Sequence, residues 1–291
     1  MRMKKNKALY LCIFTIFWCS QGFAQLRVTV SIPPQEYFVS KIGGPLVDVT
    51  TMVPSGADPH TFEPKPRQLI GLRASRLYFG IGLPYEDIWL DRFTATNPQL
   101  HVVHTDEGIE KLSMDGHDDH EDGHNHHDHG GDPHIWLSPR LVMKQAKVIR
   151  DALISHDSAN ADTYRSNCNV FMKELEALDA EFTKLFESPG RKLSFLVFHP
   201  TWGYFAREYG LEQIPVEIDG REPKPAELVS FITTAKKLGA VAVLVQPQFS
   251  RRSAQIIADA IDGELVVADP LDGDWERNLR KVARSIRQAA R

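Results

Sequence analysis

Two copies of an Asp-Pro-His motif carry the residues most suited to metal chemistry. Residues 58–64 read DPHTFEP and residues 132–139 read DPHIWLSP, so each histidine is followed two residues later by an aromatic side chain and then by a proline. The preceding proline fixes one backbone angle, and the later proline is expected to open the next helix. We therefore expect His60 and His134 at the rim of the first half of the protein, where open α/β folds bind ligands.

Two further polar residues directly follow predicted strands in the second half of the chain. His199 follows the apolar run LSFLVF, and Asp269 follows ELVVA. Positions just past the carboxyl ends of parallel strands converge on a ligand crevice. Three imidazoles and one carboxylate form a four-coordinate set that suits zinc. The remaining histidines outside the loop described next lack this context and are interpreted as ordinary strand-end or surface residues: His101, His104 and His156.

A histidine-rich segment, residues 115–131 (DGHDDHEDGHNHHDHGG), precedes the second motif and contains no apolar residue. It cannot bury a core, and we expect a disordered loop. Its imidazoles and carboxylates suit weak binding of additional zinc or a similar divalent metal in several geometries. The loop histidines are His117, His120, His124, His126, His127 and His129.

The first 24 residues are typical of a cleavable export signal. Four basic residues precede an apolar run over residues 8–19, and Gly22 and Ala24 suit a peptidase site after Ala24. The alternative, an uncleaved anchor, is disfavoured because twelve residues span only about 18 Å of a hydrocarbon core about 30 Å thick. Cleavage predicts a periplasmic protein whose only cysteine is Cys168, which excludes an internal disulfide.

The overall charge argues against binding to nucleic acid. The formal net charge is −4, and it becomes −8 once the four basic residues of the export segment are removed. A nucleic-acid footprint requires a basic surface. The chain also has no run of about 20 apolar residues, which excludes a polytopic membrane protein.

The elements that must position these residues form an α/β pattern. Short apolar runs alternate with helical segments in both halves, which predicts two lobes, each a four-stranded, mainly parallel sheet flanked by helices. We expect lobes at residues 25–158 and 189–291, joined by a long rigid helix over residues 159–188. The predicted strands are 27–32, 47–52, 77–81, 100–104, 193–198, 214–218, 241–246 and 264–268, the last four being continuous apolar runs of the kind buried on both faces. The apolar stripe of the joining helix steps by three and four residues through Tyr164, Cys168, Phe171, Leu175, Leu178, Phe182 and Leu185.

The mature chain resembles the metal-binding proteins of bacterial ABC importers for zinc and manganese, and most closely the zinc-binding (ZnuA-like) branch. The resemblance includes the export signal, the histidine-rich loop and the long helix. It also rests on residues 56–60 (GADPH), 132–137 (DPHIWL), 198–199 (FH), 203–205 (GYF), 247–249 (PQF) and 269–271 (DPL).

This resemblance implies one metal in the cleft between two lobes, with His60, His134 and His199 as ligands, and a membrane permease as the partner of a monomeric binding protein. Manganese-preferring relatives carry a carboxylate at the position of His199, so a histidine there favours zinc. Some zinc relatives carry an acidic residue just before the first ligand, where this chain has Pro59. Asp269 then becomes the better fourth ligand, with water as the alternative.

Two other functions are compatible with the same residues. Three histidines and a carboxylate also describe a zinc hydrolase, in which three protein ligands leave a position open for water. The chain has no His-Glu-x-x-His helix and no clear general base beside the ligands, so we expect a transport binding protein and not an enzyme. A manganese-binding protein or a metal-dependent adhesin is the remaining alternative, because relatives displayed on surfaces can acquire adhesin roles.

Overall fold

The computed structural model describes residues 25–113, 131–187, 192–217 and 225–290. The predicted export signal, residues 1–24, and all six histidines of the loop lie outside these ranges. Within them, none of the helices combines the length and the apolar character that crossing a bilayer would need.

The first half of the chain folds into a four-stranded parallel sheet. Its strands are β1 (Leu26–Val30), β2 (Val47–Thr51), β3 (Leu77–Gly80) and β4 (His101–His104), in the order β2-β1-β3-β4. The central strand β3 is buried along its whole length, whereas the edge strand β4 exposes both of its terminal histidines. The sheet therefore directs the carboxyl ends of its strands to one edge, as predicted.

The second half repeats the same arrangement. Its strands are β5 (Ser194–Val197), β6 (Glu212–Pro215), β7 (Ala242–Val245) and β8 (Glu264–Val267), in the order β6-β5-β7-β8, and all pairs are parallel. The two lobes of four strands confirm the predicted fold class.

The expectation that all four strands of this second sheet are buried on both faces is wrong. Strands β5 and β7 are fully buried, but β6 and β8 retain exposed residues because they form the two edges. Strand β6 also begins at Glu212 and ends at Pro215, earlier than the predicted range 214–218. An apolar run does not by itself distinguish a central strand from an edge strand.

In the described ranges, eight α-helices cover the two sheets, and a ninth lies between them in the sequence. Those of the first half are α1 (Pro33–Gly43), α2 (Pro66–Leu72), α3 (Pro84–Thr96) and α4 (Pro139–His156); those of the second are α6 (Gly203–Glu208), α7 (Pro225–Leu238), α8 (Arg251–Ile261) and α9 (Trp275–Ala289). Pro139 opens α4 as expected, with the Ser138 hydroxyl accepting a hydrogen bond from the Leu141 N–H. Pro64 does not open α2, which begins at Pro66, because Lys65 retains extended backbone angles.

The long helix α5 (Ala161–Phe186) has 26 residues and a length of about 39 Å at 1.5 Å per residue. It packs against α1, α4 and α9, so it contacts elements from both halves. Its buried side chains are Tyr164, Cys168, Phe171, Leu175, Leu178 and Phe182, and the last member of the predicted stripe, Leu185, is half-buried. The stripe that the sequence predicts is thus the one that packs.

Two tryptophans tie the halves together near the cleft. The indole N–H of Trp136 donates to the carbonyl of Pro270 at 2.7 Å, and the indole N–H of Trp275 donates to the carbonyl of Trp136 at 2.7 Å. Trp275 also packs edge-on against Phe38 of α1, with ring centroids 5.0 Å apart. Because both indoles are buried, these bonds fix the segment that follows His134 against the second half.

Candidate metal centre

His60 lies on the loop between β2 and α2, where Asp58 holds its backbone. The Asp58 carboxylate accepts the His60 N–H at 2.9 Å through Oδ1 and the Thr61 hydroxyl at 2.9 Å through Oδ2. This side-chain-to-backbone turn is the local structure that aspartate favours. The aspartate and the proline of the motif therefore act together to fix the conformation of the loop that carries His60.

His134 is held by the same kind of turn and by one additional bond. Asp132 accepts the His134 N–H at 2.8 Å, and the same carboxylate oxygen lies 2.6 Å from the ring Nδ1. Because a carboxylate accepts, the ring hydrogen belongs on Nδ1, which leaves Nε2 with a free lone pair. Both side chains are almost fully buried, so the ring has a fixed orientation.

His199 lies two residues beyond the end of β5, and its partner comes from the neighbouring strand. Its Nδ1 lies 2.8 Å from the carboxylate of Glu217, which follows β6 by two residues. The Glu217 N–H donates to the Phe198 carbonyl at 3.1 Å, so the parallel pairing of β5 with β6 continues up to the site. As with His134, the free ring nitrogen is Nε2.

The structure brings these three histidines into one cluster. One ring nitrogen of each lies within 4.8 Å of the others, and the Nε2 atoms of His60 and His199 are 3.2 Å apart. The ring centroids are separated by 5.0–5.6 Å. Burial, followed by the two neighbouring imidazoles, lowers the pKa of His60 to about 4. This ring is therefore neutral at pH 7, which is the form that binds a metal.

Asp269 lies beside the cleft but outside this cluster. Among the described residues, the group of three or more potential ligand atoms that all lie within 4.8 Å of one another consists of the three histidines. The Asp269 carboxylate accepts the Leu271 N–H at 2.9 Å, and burial raises its pKa. Its role as fourth ligand stays a prediction, as does metal binding by the six loop histidines, which the described ranges do not include.

The cluster opens into a cleft of about 480 Å³ between the two halves. Besides the histidines, polar groups line it from both sides, and Trp136, Phe249, Pro270 and Leu271 supply apolar walls. Such a volume leaves space for a small ligand beside the three imidazoles. The polar lining residues are Asp58, Thr61, Thr201, Glu217, Gln246 and Gln248.

Two carboxylates, Asp132 and Glu217, orient the histidines. Asp132 belongs to the repeated motif, whereas Glu217 lies outside every motif that the sequence analysis identifies. Glu217 is a charged residue in the otherwise apolar segment IPVEI, at the carboxyl end of a predicted strand. That position is the feature of the sequence that could have identified it as a site residue. A histidine ligand whose second nitrogen donates to a carboxylate is the usual arrangement at zinc sites.

The donor set favours a borderline-soft divalent ion. Imidazole nitrogens suit zinc, copper and nickel, whereas magnesium, calcium and manganese favour oxygen ligands. The three converging imidazoles therefore form a candidate metal site, and they bring one ligand from the second half to meet two from the first.

Comparison with known proteins also indicates a metal-binding protein. Residues 28–289 match the family described as zinc-uptake complex component A, periplasmic (ZnuA). The chain is 30% identical over 258 residues to the high-affinity zinc uptake system protein ZnuA of Bacillus subtilis, which covers 86% of this chain and 79% of that protein. A crystal structure of ZnuA superposes with a TM-score of 0.82 at 42% identity, over 91% of this chain and 99% of that one.

A manganese-binding relative is also similar. The chain is 26% identical over 224 residues to the manganese-binding lipoprotein MntA of Halalkalibacterium halodurans, over 76% of this chain and 71% of that protein. The family and the fold are those of substrate-binding proteins of ABC importers, which excludes the zinc-hydrolase alternative. The chain belongs to the ZnuA family of periplasmic metal-binding components of bacterial ABC importers.

Proposed function

We infer that this protein binds zinc tightly through His60, His134 and His199 and delivers it to the membrane permease of an ABC importer. The observation that carries the proposal is that one ring nitrogen from each of three histidines meets the others in one cleft. Two of the rings donate a hydrogen bond from their other nitrogen to a carboxylate, which fixes both the tautomer and the orientation of the ring. A site built in this way binds metal with little further ordering of its ligands.

The choice of zinc over manganese rests on the ligand type. Manganese favours carboxylate and carbonyl oxygens, and a carboxylate in place of one imidazole would make the site harder. All three clustered ligands here are nitrogens. The carboxylates of Asp132 and Glu217 already accept hydrogen bonds from the histidine rings, so they act on the metal through those rings.

For the fourth position we propose Asp269, with water as the alternative. Asp269 follows β8, and the adjacent Pro270 and Leu271 line the cleft. A carboxylate there would offset part of the metal's charge in a partly buried environment. The Leu271 N–H bonds to Oδ1 of this carboxylate, so Oδ2 can serve as the ligand atom.

The remaining parts of the proposal concern export and delivery. Residues 1–24 direct the chain to the periplasm and are cleaved after Ala24, and the mature protein acts as a monomer. The histidine-rich loop, residues 115–131, binds additional zinc weakly, since its ligands must be ordered as they bind.

Competition with a chromophoric zinc chelator tests the tight site. The substitutions His60→Ala, His134→Ala and His199→Ala are each expected to weaken zinc binding by orders of magnitude. His104→Ala, which removes an exposed histidine at the carboxyl end of β4 that does not line the cleft, is the matched control and should leave the affinity unchanged. Unchanged affinity in any one of the three variants would remove that residue from the site. A parallel titration with manganese should show much weaker binding, and equal affinities would contradict the zinc assignment.

A further inference from the structure

A second pair of histidines meets on the surface of the first half. His101 opens β4 and His156 closes α4, and both side chains are exposed. Their ring centroids are 5.0 Å apart and their planes are inclined at 31°. The sequence places these residues far apart and gives neither a ligand context, so only the packing of α4 beside β4 brings them together.

Their separation matches that of two ligands on one metal ion. Two imidazoles bound to a tetrahedral zinc, at Zn–N distances of about 2.0–2.1 Å, place their ring centroids roughly 5 Å apart. The three histidines of the cleft show the same spacing, between 5.0 and 5.6 Å. The spacing of the surface pair is therefore compatible with both rings binding one ion.

The structure also defines the free nitrogen of one member. The Nδ1 of His156 lies 3.0 Å from the carbonyl of Ala152, one turn earlier in α4. A carbonyl only accepts, so the ring hydrogen belongs on Nδ1 and the lone pair on Nε2. His156 is also the last residue of its helix, where the helix dipole and the free carbonyl groups favour a bound cation.

Both members sit on regular elements with fixed backbones. His101 pairs with Leu77 in the register of β3 and β4, and its N–H donates to the Arg76 carbonyl at 2.9 Å. His156 belongs to an 18-residue helix. Binding therefore orders two side chains but no loop, which keeps its entropic cost low.

The pair is separate from the cleft. His101 lies at the amino end of its strand, whereas the cleft lies beyond the carboxyl ends of the strands. His156 lines a depression on this surface together with Arg76 and Asp157. The Asp157 carboxylate accepts bonds from Asn160 and Tyr164 through Oδ2, at 2.7 and 2.6 Å. Within the described ranges no third histidine, cysteine or carboxylate groups with the pair, so its donor set is two imidazoles completed by water.

We propose that His101 and His156 form a second metal site, which takes zinc or another imidazole-preferring divalent ion such as nickel or copper. It is weaker than the cleft because it supplies two protein ligands where the cleft supplies three. The proposal does not depend on the cleft's choice of metal, since it rests on the geometry of the surface pair alone.

Proton NMR of the full-length protein, already loaded with one equivalent of zinc, tests this site residue by residue. Further zinc is added from a metal buffer while the ring Hε1 signals of His101, His156 and His104 are followed. We expect the first two signals to shift with one common midpoint, before that of His104. His156→Gln should raise the midpoint of His101 by about tenfold or more, because the second ligand no longer acts at high effective concentration.

The reciprocal variant and a control complete the test. His101→Gln should raise the midpoint of His156 in the same way, and His104→Gln should change neither. Separate midpoints for His101 and His156, or a His101 midpoint that is unchanged in His156→Gln, would overturn the proposal. Because all three side chains are exposed, their replacement leaves the core intact, which the amide spectrum of each variant verifies.

Discussion

Replacing Glu217 tests whether the geometry of the site, and not only its ligands, determines metal affinity. The Glu217 carboxylate lies 2.8 Å from Nδ1 of His199, and the two side chains are 12% and 17% exposed. In Glu217→Ala the imidazole loses the acceptor that holds its hydrogen on Nδ1. The ring can then rotate or adopt the other tautomer, and Nε2 is less often presented to the metal.

The magnitude follows from the type of bond. A hydrogen bond to a charged group contributes about 1.5–3 kcal/mol, and loss of an outer-shell partner typically weakens metal binding by about 10–100-fold. We therefore expect Glu217→Ala to lose about 10–100-fold in zinc affinity. Glu217→Gln keeps an acceptor oxygen but loses the charge, so its loss should be smaller, at about fivefold or about 1 kcal/mol.

Chelator competition at pH 7.5 measures these affinities, with thermal unfolding of the metal-free variants as a check on folding. Glu212→Ala is the matched control: Glu212 opens the same strand and accepts a bond from Ser194 at 2.8 Å, away from the cleft. It should lose stability but not zinc affinity. If Glu217→Ala binds zinc like the unmodified protein, or if Glu217→Gln loses as much as Glu217→Ala, the positioning argument is wrong.

Three other predictions concern the fourth ligand, pH and the loop. Asp269→Ala should lower the zinc affinity less than the loss of any clustered histidine does. A zinc-bound crystal structure with Asp269 remote from the metal would refute its assignment as the fourth ligand. The pKa of His60 is about 4 in the folded protein and about 6.5 in the unfolded chain. Between these values only the unfolded chain binds a proton at this imidazole, so lowering the pH favours unfolding. The metal-free protein should therefore lose about 3 kcal/mol of stability between pH 6.5 and 4. Urea unfolding should show a smaller decrease in His60→Gln, and an identical one would contradict the assignment. Deleting residues 115–131 should preserve one tightly bound zinc and remove the weaker equivalents, as measured by calorimetry. Equal zinc stoichiometry in the full-length and loop-deleted proteins would make the loop a linker. Loss of tight binding would place a loop histidine in the site.

Much of the fold could be predicted because it depends on short-range patterns. The three- and four-residue steps from Tyr164 to Phe182 define one face of a helix wherever that helix packs, and the structure buries that face. Likewise, apolar runs separated by helical segments require parallel sheets with crossovers, and both halves have them. The two Asp-Pro-His motifs fix their turns with an aspartate two residues before the bonded N–H, which is again a local interaction.

The tertiary structure alone decided which residues become partners across the chain. Glu217 reaches His199 because β6 pairs with β5 in a particular register, and an apolar pattern does not specify a register between two strands. The same limit explains why β6 and β8 were predicted as buried although they form edges. His101 and His156 meet only because α4 packs beside β4. Sequence periodicity determines the face that an element buries, whereas its neighbours depend on the packing of the whole chain.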